Sequence, residues 1–300
     1  MPEHGVSRQI HPTNRHSPDK ASPVHHAFKV GESNRRVSRT RLVIAVGLGV
    51  AASAAGIRLL LARQAAIARR RIGKPLGEES LDADRLWRRK LDGEPVELLL
   101  LGDSLAAGLG AQTRKQTLGG RISKGLAARI QRPVRLTTAA VVGSESPDLG
   151  SQLDGLPSDY APQVAVIVVG GNDVTHRIPN SVSALHLAES IRRLRAGGAE
   201  VVVGTCPDLG ALRAVPQPLR RLAASMSRRL AEVQAETAVQ SGAEPVDLRR
   251  AVGPMFFDEP EEMFSLDRFH PSPLGYRRTA EALLPAVCRA AARVTSQGSR

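Results

Sequence analysis

The hydrophobic pattern between residues 96 and 101 predicts the strand around which the rest of the chain is organised. Four consecutive leucines, Leu98 to Leu101, stop at Gly102. A short continuous apolar run that ends at a glycine is typical of a strand buried on both faces. Ligands bind beyond the carboxyl ends of the strands in an open parallel sheet, so Ser104 is our candidate nucleophile. Taken alone, a serine that caps a helix or forms a turn fits the same position.

Short apolar runs and amphipathic stretches alternate from residue 96 onward. The pattern predicts strands at residues 96–101, 134–141, 164–169, 200–203 and about 244–247. It predicts helices at residues 117–131, 181–196, 219–241 and 273 to about 293. Such alternation indicates a doubly wound parallel sheet. We expect one α/β domain over residues 96–295, a three-layer sandwich with a five-stranded parallel sheet, and a short tail over 296–300.

The N-terminal third has a different pattern. Residues 1–41 are rich in Pro, Ser, Asn, His and Arg without apolar periodicity, which predicts a disordered basic segment. Residues 42–62 contain one charged side chain, Arg58, and would span about 30 Å as a helix, enough to cross a bilayer. We expect a transmembrane helix or signal anchor there; a cleaved signal peptide and a soluble or interfacial helix are the alternatives. Residues 63–95 are interpreted as a basic helical stalk and linker that carries Trp87.

The orientation of this anchor does not follow from its flanking charges, because arginines lie on both sides of the apolar run. A single N-terminal anchor followed by a folded domain usually exports that domain. We therefore expect the folded domain on the extracytoplasmic side of the membrane.

Charge and cysteine usage narrow the classes of partner. Of the net charge of +13 over 300 residues, the first 95 residues contribute +9 (18 Lys/Arg against 9 Asp/Glu) and the rest +4 (24 against 20). Aromatic residues are only 3% of the chain, so we expect no nucleic-acid partner.

Cys206 and Cys288 have no metal-binding spacing. We expect buried free thiols and leave a disulfide open.

Polar and glycine residues also follow the second and third predicted strands. Gly143 comes after the second, and Asn172 follows Gly170-Gly171 after the third. If the first three strands are neighbours, the backbone N–H groups of Ser104 and Gly143 and the amide of Asn172 converge as donors. Such donors stabilise the oxyanion of an acyl-transfer reaction. Each residue taken alone has another interpretation: Gly143 also fits a tight turn, and Asn172 also fits a helix cap.

A serine nucleophile requires a base, and His270 is our candidate. Asp267, three residues earlier, would orient one ring nitrogen while the other faces Ser104. Asp173 and His176 share this spacing, but Asn172 already gives the end of the third strand a role, so we prefer Asp267 and His270. We expect no metal and no cofactor.

Four short blocks together resemble those of the SGNH hydrolase (GDSL esterase/lipase) family, over about residues 96–292. They are Gly102-Asp103-Ser104-Leu105, Gly143, Gly170-Gly171-Asn172-Asp173 and Asp267-Arg268-Phe269-His270. The resemblance implies a flavodoxin-like sheet and metal-free serine esterase chemistry. It makes Ser104, Asp267 and His270 the catalytic triad, and Ser104, Gly143 and Asn172 the oxyanion hole. The family often has Asn two residues before its glycine, where this chain has Val141.

Four of the five phenylalanines precede or adjoin His270: Phe256, Phe257, Phe264 and Phe269. We expect Phe257, Phe264 and Phe269 to bind substrate as a wall that favours acyl groups longer than acetyl, in a small-molecule or lipid ester. The alternative is that these rings only fix the loop to the sheet. The alternative to an esterase is a non-catalytic, membrane-tethered binding or scaffold protein on the same fold.

Overall fold

The structure, a computed structural model, describes residues 32–297. Within these residues the chain divides into two units, with the division between residues 56 and 57. The strands are β1 (Arg85–Trp87), β2 (Val96–Gly102), β3 (Val134–Thr138), β4 (Val164–Val168), β5 (Glu200–Gly204) and β6 (Glu244–Val246). The helices are α1 (Glu32–Ile72), α2 (Ser104–Ala107), α3 (Leu118–Ile130), α4 (Leu149–Asp154), α5 (Gly171–His176), α6 (Asn180–Ala196), α7 (Leu219–Gln240), α8 (Leu248–Ala251), α9 (Gly253–Asp258), α10 (Pro260–Met263) and α11 (Pro273–Gln297).

Helix α1 carries the apolar run. Its segment Arg41–Ile72 is long and apolar enough to cross a membrane, with a mean hydropathy of 2.0 in its most apolar window, none of whose described side chains is buried. Residues 32–41 are helical, although the sequence pattern predicts disorder there. A helix started by the apolar run gains one hydrogen bond for each residue added, so it extends into polar neighbours. The rest of the predicted disordered segment, residues 1–31, lies outside the described residues.

The sheet has the strand order β1-β3-β2-β4-β5-β6. The last five strands along the chain are parallel, and their spatial order is that of a flavodoxin-like sheet. Leu100 on β2 pairs with Thr138 on β3 and with Val166 on β4. The ends of β2, β3 and β4 therefore meet where the strand order reverses, which is where the candidate residues lie.

The four leucines of β2 are fully buried, as the sequence predicts. Leu98 and Leu100 pack with Ile122 of α3 and Val287 of α11 on one face of the sheet. Leu99 and Leu101 pack on the other face with residues of α6, including Ile191. Because side chains alternate along a strand, a run apolar at every position is satisfied only by helices on both faces.

The sheet has six strands, so the prediction of five is wrong. The additional strand, β1, pairs antiparallel with β3 inside the segment interpreted as a linker. It buries Trp87, and the Asp84 carboxylate accepts a hydrogen bond from the Thr138 N–H at 2.8 Å. Three residues with arginine at one end are too short for a periodic signal. Trp87 therefore packs within the core of the domain.

Both cysteines are free, as expected. Cys206 is buried at the end of β5, whereas Cys288 on α11 is only half-buried.

Candidate active site

The turn after β2 places Ser104 at the edge of the sheet. Gly102 has φ of 129°, and a Cβ there would lie 1.8 Å from the carbonyl oxygen of Val168, so only glycine fits. Asp103 caps α2, because its carboxylate accepts a hydrogen bond from the Leu105 N–H at 2.9 Å. Ser104 is therefore the first residue of α2 and stands directly beyond the strand.

His270 joins Ser104 to Asp267. Its Nε2 lies 2.9 Å from Ser104 Oγ, and its Nδ1 lies 2.5 Å from Asp267 Oδ2. A carboxylate beside Nδ1 favours the proton on that nitrogen, which leaves Nε2 to accept the serine proton. The three side chains expected to form a triad are thus in hydrogen-bond contact.

The loop that carries His270 is held in one conformation. The other carboxylate oxygen of Asp267 accepts the backbone N–H groups of Phe269 and His270, both at 3.0 Å. Arg268 has φ of 56°, which closes the turn. The Ser265 N–H donates to the His270 carbonyl at 2.8 Å. The backbone therefore sets the position of the imidazole independently of substrate.

Two buried carboxylates near the site have pKa values shifted in opposite directions. Burial alone would raise the pKa of Asp267, but hydrogen bonds from His270 and from backbone N–H groups outweigh it, and the pKa is lowered. Burial raises the pKa of Asp103 to about 6, even though the N–H groups of Leu105 and Gly171 and the charge of His270 act against the rise. Asp267 is thus ionised at neutral pH, whereas Asp103 titrates at a pH close to neutral.

The two oxyanion candidates meet at the loop after β3. The side-chain amide of Asn172 donates to the Ser144 carbonyl at 2.9 Å, next to Gly143. A side-chain amide has two N–H groups, so this bond leaves Asn172 a second donor. Gly143 is exposed with φ of 90°. Asn172 is therefore fixed to the loop that carries Gly143, as convergence on one crevice requires.

The alternative pair of Asp173 and His176 does not come together. Asp173 is buried and accepts hydrogen bonds from Ser183 Oγ at 2.5 Å and from the Ser146 N–H at 3.1 Å. His176 is exposed and pairs instead with Glu145, 2.5 Å away. Within residues 32–297, no group of three or more His, Cys, Asp and Glu side chains is arranged to hold a metal ion.

An apolar pocket of about 80 Å³ adjoins Ser104 and His270. Phe264 and Phe269 line it, as expected, and so does Phe256, whose ring packs edge-on against Phe264 at 4.9 Å. Phe257 does not line it: its side chain is 42% exposed and faces a separate cavity bordered by arginines. Adjacent residues on α9 point in different directions, so the phenylalanine cluster divides between pocket and surface.

Sequence reasoning missed two side chains that connect these loops. Gln152 of α4 bonds to both backbone groups of Gly102, and its amide also donates to Ser144 Oγ at 3.1 Å. Tyr276 of α11 is buried, and its hydroxyl donates to the Leu109 carbonyl at 2.7 Å. No motif identifies either residue. The only signal in the sequence is a polar residue within an amphipathic helix, and the structure is needed to show that its side chain is buried.

The chain was compared with known proteins. The sequence profile of the GDSL-like lipase/acylhydrolase family matches residues 100–278. The GDSL-like esterase Rv1075c of Mycobacterium tuberculosis is 42% identical over 202 residues. This alignment covers 67% of the present chain and 64% of the relative, so the chain spans less than two thirds of that protein's length.

Solved structures have the same fold. TesA has a TM-score of 0.53 and 23% identity, over 65% of this chain and 99% of TesA. Axe2, an acetylxylan esterase from Geobacillus stearothermophilus, has a TM-score of 0.52 and 18% identity, over 65% of this chain and 95% of Axe2. At these identities the likeness supports the fold, and the match to the family rests on the sequence.

Proposed function

This chain belongs to the GDSL-like lipase/acylhydrolase family, and from that premise we propose that it is a serine esterase that forms an acyl intermediate on Ser104. The observation that carries the proposal is the contact of His270 Nε2 with Ser104 Oγ at 2.9 Å, while Asp267 holds the opposite ring nitrogen. A serine hydroxyl is a weak nucleophile at neutral pH, and a hydrogen-bonded imidazole activates it.

In the first half of the reaction, Ser104 Oγ attacks the ester carbonyl carbon and its proton passes to His270 Nε2. The imidazolium that forms lies against the ionised Asp267 carboxylate, which stabilises it. When the tetrahedral intermediate collapses, the bond to the leaving oxygen breaks and His270 returns the proton to the departing alcohol. The acyl group remains on Ser104.

The negative charge of the intermediate falls on the former carbonyl oxygen. We assign its stabilisation to the N–H groups of Ser104 and Gly143 and to the amide of Asn172. Donors already held in place need no reorganisation as the charge develops, which is why each such donor contributes strongly to the rate. The bond from Asn172 to the Ser144 carbonyl supports this assignment, since it orients the amide beside Gly143.

In the second half, water takes the place of the alcohol. His270 removes a proton from the water as it attacks the acyl carbon and forms a second tetrahedral intermediate. When this intermediate collapses, the bond from the acyl carbon to Ser104 Oγ breaks and His270 returns the proton to Oγ. The products are a carboxylic acid and the free enzyme. Both halves of the reaction pass their protons through His270.

The apolar pocket supports a carboxylic ester with an apolar acyl group as substrate. Phe264 and Phe269 would contact the first carbons of that group beside Ser104. Phe257 lies outside the pocket, so we do not retain it as a substrate contact.

We also propose that α1 tethers the enzyme to a membrane through residues 42–62, with the catalytic domain on the extracytoplasmic side. The apolar composition of α1 supports the tether. The full chain should sediment with membranes in alkaline carbonate, and a chain lacking residues 42–62 should not. Cleavage of the catalytic domain by protease added to intact cells would test on which side of the membrane the domain lies.

A fluorophosphonate probe tests the proposed intermediate directly, because it phosphonylates an activated serine. We expect the full chain to be labelled at one site, which mass spectrometry of the digest would place at Ser104. Ser151→Ala, a change at an exposed serine of α4, should label like the parent. If Ser104→Ala still labels, or the parent does not, the proposal is wrong and the binding or scaffold function gains support.

A further inference from the structure

A second apolar cavity lies beside the catalytic pocket, within residues 57–300. It has a volume of about 490 Å³. The last part of α1 forms one wall, through residues such as Leu61 and Ala65, and α7 forms the other, through residues such as Leu222 and Ala223. We call this cavity, bounded by α1 residues 58–72 and α7, the stalk groove.

Specific contacts hold α1 against α7 at this groove. Gln64 is buried; its Oε1 accepts the Leu219 N–H at 2.9 Å, and its amide donates to the Gln217 carbonyl. The bond to Leu219 satisfies a backbone donor at the start of α7, which the helix itself leaves unpaired. Ala68 is buried one turn further along α1. The separation of the two walls is therefore fixed by a buried polar contact.

The stalk groove adjoins the catalytic pocket, and the two cavities share part of their walls. Leu209, Leu212 and Phe269 line both cavities. The Phe269 ring packs edge-on against the His270 imidazole, with 4.8 Å between centroids. Phe269 therefore stands between the catalytic pocket and the stalk groove, beside the imidazole.

The two cavities differ in what they can hold. The pocket at Ser104 has a volume of about 80 Å³, too small for more than a short acyl group. The stalk groove, at about 490 Å³, is in the range of sites that bind small ligands. Its lining is apolar apart from Thr175 and three arginines, Arg58, Arg69 and Arg177. No Asp or Glu is among the lining residues, so nothing there repels an uncharged chain or an anionic headgroup.

We propose that the stalk groove binds the distal part of a long-chain acyl group whose ester carbonyl lies at Ser104. This inference rests on the proposed esterase function and names its substrate class: esters of long-chain acids. Part of α1 is then a wall of the substrate site as well as a tether. Each further buried methylene should raise kcat/KM by roughly fourfold, until the groove is full.

The test narrows the groove by placing a larger side chain on its α1 wall. The full chain and Ala65→Phe are placed in phosphatidylcholine nanodiscs, where no detergent chain competes, and active sites are counted by fluorophosphonate labelling. The measured quantity is the ratio of kcat/KM for p-nitrophenyl decanoate to that for p-nitrophenyl acetate. We expect the parent to prefer decanoate and Ala65→Phe to lower the ratio at least tenfold. Ala128→Phe, on an exposed face of α3, should leave the ratio unchanged.

Two results would overturn the proposal. One is an unchanged ratio in Ala65→Phe, whether both activities are retained or fall equally, and the other is a parent that does not prefer decanoate to acetate. If Ala65→Phe fails to fold, Ala223→Phe narrows the groove from the α7 side and is expected to lower the ratio in the same way. If the parent hydrolyses the acetate ester but not the decanoate ester, the proposed long-chain site is wrong and the esterase function is retained. A parent that hydrolyses neither ester refutes the esterase function as well.

Discussion

Gln152 pairs with Gly102 through both backbone groups of that residue. The Gly102 N–H donates to Gln152 Oε1 at 2.9 Å, and Gln152 Nε2 donates to the Gly102 carbonyl at 2.8 Å. The Gly102 carbonyl also accepts a hydrogen bond from the Val141 N–H at 3.1 Å. A side chain from α4 thus completes the turn that presents Ser104.

Replacing Gln152 with leucine should destabilise the fold by about 1–3 kcal/mol, because the buried Gly102 N–H loses its partner. Urea denaturation followed by the fluorescence of Trp87, the single tryptophan, measures this loss. Gln240→Leu, at an exposed position of α7, should change the unfolding free energy by less than about 0.5 kcal/mol. Equal midpoints for the two variants would show that the pairing with Gly102 contributes no stability.

Asp267→Asn should lower kcat by roughly 10³–10⁴-fold with little effect on folding. An amide in place of the carboxylate no longer fixes the proton on His270 Nδ1 and does not stabilise the imidazolium. Steady-state hydrolysis of p-nitrophenyl acetate measures the effect, and Asp159→Asn, at an exposed turn, is the matched control. A loss below tenfold would mean that Asp267 does not act through His270.

Asn172→Ala should lower kcat by about 10²–10³-fold and leave KM nearly unchanged, because an oxyanion donor acts in the transition state. Asn180→Ala, at the start of α6, should behave as the parent. A rise in KM with kcat unchanged would place Asn172 in ground-state binding instead.

The raised pKa of Asp103 predicts a particular dependence of stability on pH. The carboxyl has a pKa of about 6 in the folded protein and an ordinary value of 3.8. The folded state therefore binds the proton more tightly, and the stabilisation that this provides below pH 4 is lost as pH rises to about 6. The side chain in Asp103→Asn does not titrate, so this variant lacks the pH-dependent stabilisation.

The unfolding free energy of Asp103→Asn relative to the parent should therefore increase between pH 4 and pH 7, by on the order of 2–3 kcal/mol. Any cost of the amide itself is independent of pH and shifts the whole curve. Urea denaturation of both proteins at several pH values measures the difference. Parallel curves would contradict the assigned pKa.

The sequence predicts those parts of the fold that depend on local pattern. The leucines of β2 are apolar at every position, and only a strand covered on both faces satisfies that pattern. The contact of Ser104, His270 and Asp267 could be predicted because Asp267 and His270 lie three residues apart in a single loop, and a family resemblance linked them to Ser104. β1 was missed because Arg85–Trp87 is short and is held by pairing with a distant strand.

Other features depend on contacts that no local pattern encodes. Gln152 meets Gly102 across 50 positions of the chain, and Tyr276 meets Leu109 across 167. Phe256 and Phe257 are adjacent residues of the same type, yet Phe256 lines the pocket and Phe257 is exposed. The direction of each side chain is set by how α9 packs, which a cluster of aromatic residues does not reveal.

The most direct test of the central claim compares hydrolysis of p-nitrophenyl acetate by the full chain with hydrolysis by Ser104→Ala, with Ser151→Ala as control. We predict turnover by the parent and the control, and a loss of several orders of magnitude in kcat for a folded Ser104→Ala. Turnover by Ser104→Ala at a rate close to the parent's would contradict the account, because the reaction would then not pass through an acyl group on Ser104.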